Sequence, residues 1–173
     1  MFGINEIVVY GSTGVCRIED IGTPEFHGVD RSQSYYTLRP VFDGGIIYCP
    51  VNNPRVFIRE VISREEAQQL IDAIPTINAQ AYHNRSTQLL TEHYNEVISS
   101  HKCSDLIELI MSIYHKKKAL AGQKRRLGQV DERFMKRAQN LLYGEFAVAL
   151  GIDRDEVEQY IAARVEQLQK VDV

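Results

Sequence analysis

The spacing of apolar residues changes near residue 61, and this change constrains the fold more than any other feature of the sequence. Before it, short β-branched and aromatic runs are separated by glycine-containing turns, and after it apolar residues recur at helical spacing. Residues 15–21 (VCRIEDI) alternate apolar and polar side chains as a half-buried strand does, whereas residues 131–150 have the period of an amphipathic helix. The pattern therefore predicts strands followed by helices.

Residues 1–61 contain five strand-like runs, which together predict a small antiparallel barrel. Glycine-rich sequences between them, GSTG at 11–14 and DGG at 43–45, are typical of tight turns. The runs are residues 6–10 (EIVVY), 15–21 (VCRIEDI), 34–40 (SYYTLRP), 46–50 (IIYCP) and 55–60 (RVFIRE).

Residues 62–173 predict a compact all-helical domain, so the expected fold class is α+β with a boundary between residues 61 and 62. Ser63 and Glu66 have the spacing of a capping box, and Pro75 is expected to end the first helix. Gly151 is placed to end the longest helix. We expect helices over residues 64–74, 88–99, 105–118 (capped by Ser104), 131–150 and 154–168, with an irregular connection at 76–85.

Nothing in the sequence predicts catalysis or a bound cofactor. The five histidines have neither HExxH nor zinc-finger spacing, and GSTG lacks the lysine of a phosphate loop and precedes a strand. His93, His101 and Cys103 share a region with Glu92 and Glu96, but surface histidines are the simpler interpretation. We therefore expect no catalytic residue, no metal, no cofactor and no small-molecule substrate.

The expected compartment is the cytoplasm. The opening MFGINEIVVY has no basic leader followed by an apolar core, and no window approaches the run of about 18 apolar residues that a membrane span needs. The cysteines, Cys16, Cys49 and Cys103, are odd in number and far apart, which argues against a disulfide framework. No membrane interaction is expected.

Residues 116–137, the basic segment, concentrate positive charge in a chain whose net charge is −3. The segment has nine basic and two acidic side chains, a net charge of +7. Stabilisation of a helix end explains two or three of these cations, but Arg133 and Arg137 are i, i+4 neighbours that repel each other. The clustering predicts a phosphate-bearing partner, and a solvated face without a partner is the alternative. The candidate DNA contacts here are Lys117, Lys118, Lys124, Arg125, Arg126, Arg133, Lys136 and Arg137.

The ordered succession of these segments resembles the CarD/CdnL family of bacterial RNA polymerase-binding transcription regulators. INEIVVYGSTGVCRIEDI at the start, then SYYTLRPVF, IIYCPVNN and IREVIS, follow the family pattern in order. In the helical half, the stretch from DLIELIMSIYHKKK to LLYGEFAVALGI resembles the family's C-terminal region with its basic interhelical segment. The resemblance covers about residues 1–165.

This resemblance implies a Tudor-like N-terminal barrel, a module shared with the transcription-repair coupling factor, that docks on the β subunit of RNA polymerase. Docking would use an exposed strand edge, matched here by Ile46, Ile47, Tyr48 and Cys49. The helical domain would contact promoter DNA, largely without sequence preference, near the upstream edge of the transcription bubble. It would thereby modulate open-complex stability, and the protein would be associated with the nucleoid through polymerase.

The chain departs from the family pattern at two places. Family members place a tryptophan at the start of the helical domain, where it wedges into the minor groove, and this chain contains no tryptophan. Tyr82 is the nearest aromatic residue by position and is added to the candidate DNA contacts. Members often carry arginine in the polymerase-binding strand, where this chain has Tyr48.

A second class of function is consistent with the same charge pattern. The basic segment suits an acidic protein as well as DNA, so the alternative is a protein-interaction adaptor. Retention of a partner after nuclease treatment distinguishes the adaptor from the DNA-contacting regulator.

Overall fold

A computed structural model describes residues 1–52 and 54–171. The chain divides into two compact units, Met1–Val61 and Ile62–Val173. The first is built from strands and the second from helices. The predicted α+β fold class is confirmed.

The N-terminal unit is a five-stranded antiparallel sheet with strand order β4-β3-β2-β1-β5. Strands β4 and β5 therefore lie at its two edges. The strands are β1 (Ile7–Tyr10), β2 (Gly14–Gly22), β3 (Tyr35–Pro40), β4 (Ile47–Pro50) and β5 (Ile58–Glu60).

Strand β5 is shorter than the sequence predicts, because the chain bends at residues 55 and 56 before pairing begins. The bend brings Val56 against Gly11, where an added Cβ would lie 2.6 Å from the Val56 Cγ1 atom. Gly11 also has φ of 45°, and its N–H donates to the carbonyl of Phe57 at 2.8 Å. Only glycine fits this approach of two chain segments.

Alternation along the strands produces the core of the N-terminal unit. In β2, Cys16 and Ile18 are buried while Arg17 is exposed, as predicted for a half-buried strand. Burial raises the pKa of the Cys16 thiol to about 11, so this cysteine is a small apolar core residue. The buried cluster consists of Val8, Cys16, Ile18, Tyr36, Leu38 and Cys49.

The helical unit has the capping features that the sequence predicts. The Ser63 N–H donates to Glu66 Oε2 at 2.7 Å, and the Glu66 N–H donates to Ser63 Oγ at 3.1 Å. Gly151 ends the longest helix with φ of 69°. The helices are α1 (Arg64–Ala73), α2 (Thr87–Ile98), α3 (Cys103–Gly122), α4 (Gln129–Leu150) and α5 (Arg154–Val171), and a 3-10 turn (Ile74–Thr76) follows α1.

The predicted bounds of α3 are wrong at both ends. Ser104 lies inside the first turn, and Lys102 occupies the N-cap position without a side-chain hydrogen bond. At the other end the helix continues through residues 119–121 (ALA), whose high helix propensity extends it past the lysines to Gly122. Lys116 and the two lysines after it are therefore interior helical residues, and stabilisation of the helix end does not explain them.

The core of the helical unit lies where the apolar faces of α2, α3 and α4 meet. An ion pair between Arg164 and Asp72, at 2.8 Å, joins α5 to α1 at the surface. The buried side chains of the three central helices include Leu90, Tyr94, Ile98, Leu106, Ile113, Phe134, Ala138, Leu142 and Phe146.

Candidate functional site

The outer edge of β4 presents main-chain groups of Tyr48. In an antiparallel ladder, alternate residues bond to the neighbouring strand and the residues between them point away. The Val51 N–H donates to the Ser34 carbonyl at 2.9 Å, which places Cys49 and Ile47 in register to bond β3. The N–H and C=O of Tyr48 therefore point away from β3.

The four residues predicted to bind polymerase do not all present side chains at this edge. Cys49 is 1% exposed, and Ile47 packs partly buried against the same core. Only Ile46, which directly precedes β4, and Tyr48 are exposed. Of the predicted set, these two offer side-chain contact, while Cys49 offers its main chain alone.

Phe26 is a neighbour of Tyr48 that the sequence pattern does not single out. It lies in the connection between β2 and β3, and its ring centroid is 4.8 Å from that of Tyr48 with the rings tilted by 53°. Both rings remain substantially exposed, Phe26 at 44% and Tyr48 at 38%. A phenylalanine in a loop that is mostly polar is the sequence signal that could have indicated it.

The basic segment spans the second half of α3, the loop that follows, and the first turns of α4. Lys136 and the loop cations Arg125 and Arg126 are exposed, while Arg137 is half-buried. The Arg137 Nη1 atom donates to Asn95 Oδ1 at 3.1 Å. The structure places the remaining predicted cations, Lys117, Lys118, Lys124 and Arg133, at exposed positions.

Lys116 differs from its neighbours because its side chain is buried. The Nζ atom lies 2.9 Å from Asp131 Oδ2 and 3.0 Å from Asp131 Oδ1, and it also donates to the Tyr82 carbonyl at 3.2 Å. Since one cation and one carboxylate are buried together, the rest of the segment, with the half-buried Arg137 included, keeps the net charge of +7 that the sequence assigns to the whole.

Tyr94 completes this buried network. Its hydroxyl donates to Asp131 Oδ1 at 2.6 Å, and its ring packs on Phe134 at a centroid distance of 5.3 Å. Burial raises the pKa of Tyr94 well above its ordinary range, and the hydrogen bond to Asp131 raises it further. The phenol therefore stays protonated and donates, and the network joins α2, α3, α4 and the 77–86 connection.

Lys124 adopts a backbone conformation that normally favours glycine. Its φ is 56°, and the N–H groups of Lys124 and Arg125 return to the carbonyls of Ala121 and Leu120 at 3.0 and 2.8 Å. This pair of bonds is the Schellman arrangement, in which glycine usually occupies the left-handed position. A lysine there exposes a cation at a cost in backbone strain.

Replacing Lys124 with glycine is expected to raise the free energy of unfolding of the helical unit by about 1 kcal/mol, because it relieves this strain. The same change is expected to weaken DNA binding. Urea denaturation followed by the helical circular dichroism signal measures the first effect. Lys124→Ala is the control, since it removes the charge but keeps the left-handed strain. Equal free energies of unfolding for Lys124→Gly and Lys124→Ala would contradict the presence of backbone strain at this position.

Tyr82 is less available to DNA than its sequence position suggests. Its ring stacks on His93 at a centroid distance of 3.7 Å and an interplanar angle of 15°, so one face is covered. It also lines a cavity of about 550 Å³ whose wall includes Glu96, Asp105 and Glu108. These carboxylates disfavour an approaching phosphate.

Tyr114 is an exposed aromatic residue beside the basic segment, and it is not among the DNA contacts that the sequence predicts. It is 49% exposed on α3, and Lys118, one turn further on, places Nζ 5.4 Å from the centre of its ring. An aromatic ring among cations is a typical surface for single-stranded or distorted nucleic acid. Spacing is the signal that could have indicated it, because Tyr114 and Lys118 are i, i+4 neighbours.

Two of the residues considered as a metal cluster, His93 and Cys103, make other contacts. His93 stacks on Tyr82, and the Cys103 thiol donates to Glu145 Oε2 at 3.0 Å. Within residues 1–52 and 54–171, no group of three or more His, Cys, Asp and Glu side chains is arranged to hold a metal ion. None of the helices in those ranges is both long enough and apolar enough to cross a membrane.

The fold and its surfaces define a two-part α+β protein, with an antiparallel sheet open at its edge strands and a helical unit that contains the basic segment. Residues 2–62 match the family described as the CarD-like/TRCF RID domain, so the N-terminal unit is similar to that family of domains. The match confirms the resemblance for this module and supports its interaction with RNA polymerase. Residues 63–173 lie outside the matched range. No curated protein matches the chain.

Proposed function

We propose that the protein is a transcription regulator that binds the β subunit of RNA polymerase through the edge of β4 and contacts promoter DNA through the basic segment. The observation that carries the proposal is the CarD-like/TRCF RID match over residues 2–62. An edge strand with outward main-chain groups suits docking by strand addition, in which main-chain hydrogen bonds supply affinity.

The basic segment of the helical unit supports the DNA-contacting half of this proposal by its charge. Exposed cations along α3, its following loop and α4 outnumber exposed carboxylates by six over residues 116–137, and the half-buried Arg137 adds one more positive charge. Neutralising phosphates releases condensed counterions, which favours binding without sequence preference. Tyr114 adds a ring for stacking at the same surface. The protein acts by binding and not by catalysis, and it is located with polymerase on the nucleoid.

Open-complex lifetime on a promoter fragment tests the proposal. Purified polymerase is allowed to open the promoter with and without the full chain, and decay is followed after a competitor is added. We expect the protein to join the complex, to extend protection at the upstream edge of the bubble, and to change the lifetime. Binding to polymerase without any change in lifetime or protection would contradict the regulatory role.

The adaptor alternative gives a different result in the same system. A basic surface complementary to an acidic protein keeps its partner after nuclease treatment, whereas a DNA-contacting surface does not. Retention of polymerase through the N-terminal unit is expected in both cases. The distinguishing result is a second protein that dissociates when the basic segment is neutralised.

A further inference from the structure

We infer that Phe26 and Tyr48 form an aromatic anchor that receives an apolar side chain of the polymerase β-subunit segment docked on β4. The inference rests on the proposed function and adds a side-chain specificity site to it. Phe26 lies outside the strand, so the surface extends beyond the four residues predicted from the sequence.

The main chain of β4 alone offers little to a partner strand. The strand has four residues, and Pro50 at its end has no N–H to donate. Within β4, only Tyr48 directs both its N–H and its C=O away from β3. Main-chain hydrogen bonds also do not distinguish one extended segment from another. Affinity and selectivity at this edge therefore need side chains.

The two aromatic rings supply apolar area at the right place. Their 4.8 Å centroid distance and tilted arrangement are favourable for an aromatic pair, so each ring helps to hold the other in position. Ile46 is also exposed, at 46%, and is two residues from Tyr48. Aromatic side chains that bury large areas at low entropic cost are typical anchors of protein interfaces.

The loop that holds Phe26 is organised by its own hydrogen bonds. Asp30 accepts from the Ser32 N–H at 2.9 Å, the Ser32 hydroxyl at 2.6 Å and Gln33 Nε2 at 2.9 Å. The Thr23 hydroxyl donates to the Gln33 carbonyl at 3.1 Å and closes the base of the loop. Because the loop is braced before binding, the entropic cost of ordering Phe26 against a partner is smaller.

An extended segment paired with β4 would place alternate side chains over the anchor. Successive side chains of a strand point to opposite faces, so one side chain of the added strand lies beside Tyr48 on the same face. Phe26, Tyr48 and Ile46 offer it a phenyl ring, a phenol ring and a branched aliphatic chain, all uncharged. The fitting partner residue is therefore apolar.

Binding of the full chain to purified RNA polymerase, measured by titration, tests the anchor. Phe26→Ala and Tyr48→Ala are each expected to weaken binding about tenfold or more, as anchor residues do. The double variant is expected to weaken binding by less than the product of the two single effects, because each ring acts through the other. Tyr48→Phe keeps the ring and is expected to retain most of the affinity.

Phe57→Ala is the matched control, because Phe57 is 47% exposed and directly precedes β5 at the opposite edge of the sheet. Unchanged binding by this variant is expected. If the wild type binds and Phe26→Ala and Tyr48→Ala bind equally well, the anchor is overturned and the proposed function still stands. Weakened binding only in Phe57→Ala would assign docking to β5 and also overturn the anchor. Absence of wild-type binding would instead defeat the proposed function itself.

Discussion

Replacing Lys116 with methionine is expected to lower the free energy of unfolding of the helical unit by about 3–5 kcal/mol. The variant leaves the Asp131 carboxylate buried without its cation, with the Tyr94 hydroxyl still donating to it. Removing one partner of a buried ion pair destabilises the fold by more than the intact pair stabilises it, because the remaining charge is still desolvated but has lost its partner. Urea denaturation of the full chain, followed by helical circular dichroism, measures the change.

Two further variants separate the effect of the buried charge from that of packing. Lys117→Met removes an exposed neighbouring cation and is expected to change stability by less than about 0.5 kcal/mol. Lys116→Met combined with Asp131→Asn removes both charges while keeping an acceptor for Tyr94, and it is expected to recover part of the stability. A double variant destabilised by the full sum of the two single changes would contradict the ion-pair explanation.

The buried network of Lys116, Asp131 and Tyr94 also helps to position the exposed cations of the basic segment. Lys116 binds the Tyr82 carbonyl as well as Asp131, so it fixes the 77–86 connection against α3 and α4. Asp131 lies in the first turn of α4, where the helix dipole favours a carboxylate. The consequence is that the Lys116 ammonium group is not available to an external phosphate, although it belongs to the most basic stretch of the sequence. It instead holds in place the helices that present the exposed cations.

The strands could be predicted because their alternation is local. Within the predicted strand 15–21, residues 16–19 alternate between buried and exposed, with Cys16 and Ile18 buried, and the alternation ends at the register shift between Ile18 and Asp20. In β4 the run IIYCP is apolar throughout, so the sequence does not separate the inward Cys49 from the outward Tyr48. That distinction needs the pairing with β3. The same holds for Phe26, whose position beside Tyr48 depends on the path of a loop.

The helical unit shows where charge patterns mislead. Three consecutive lysines at 116–118 suggest a helix end, because cations favour the last turn. Propensity in the following residues outweighs this preference, and α3 continues to Gly122. The burial of Lys116 depends on Asp131, fifteen residues further along, and no local pattern indicates that pairing. The cap at Ser63, in contrast, is predictable because both partners lie within one turn.

The basic surface leads to the second large prediction. Replacing Arg133, Lys136 and Arg137 together with alanine is expected to weaken binding to promoter DNA on the order of 10- to 100-fold at moderate salt. All three lie in the first turns of α4, so the change removes cations from one helix. The slope of log affinity against log salt is expected to fall by about 0.9 for each phosphate that is no longer neutralised. Titrations of the full chain, without polymerase, against a promoter duplex at several salt concentrations measure both quantities.

A variant that loses three cations from α5 instead of α4 provides the control. Arg154, Arg164 and Lys170 all lie in α5, outside the basic segment, and their replacement with alanine lowers the net charge equally. This control is expected to leave the salt slope unchanged, because net charge alone does not create phosphate contacts. Arg133→Lys with Arg137→Lys keeps the charges and is expected to retain most of the affinity if the contacts are electrostatic. Equally weakened binding by the α4 and α5 triple variants would show that DNA affinity depends only on the total charge of the protein. The assignment of the α4 cations as DNA contacts would then be wrong.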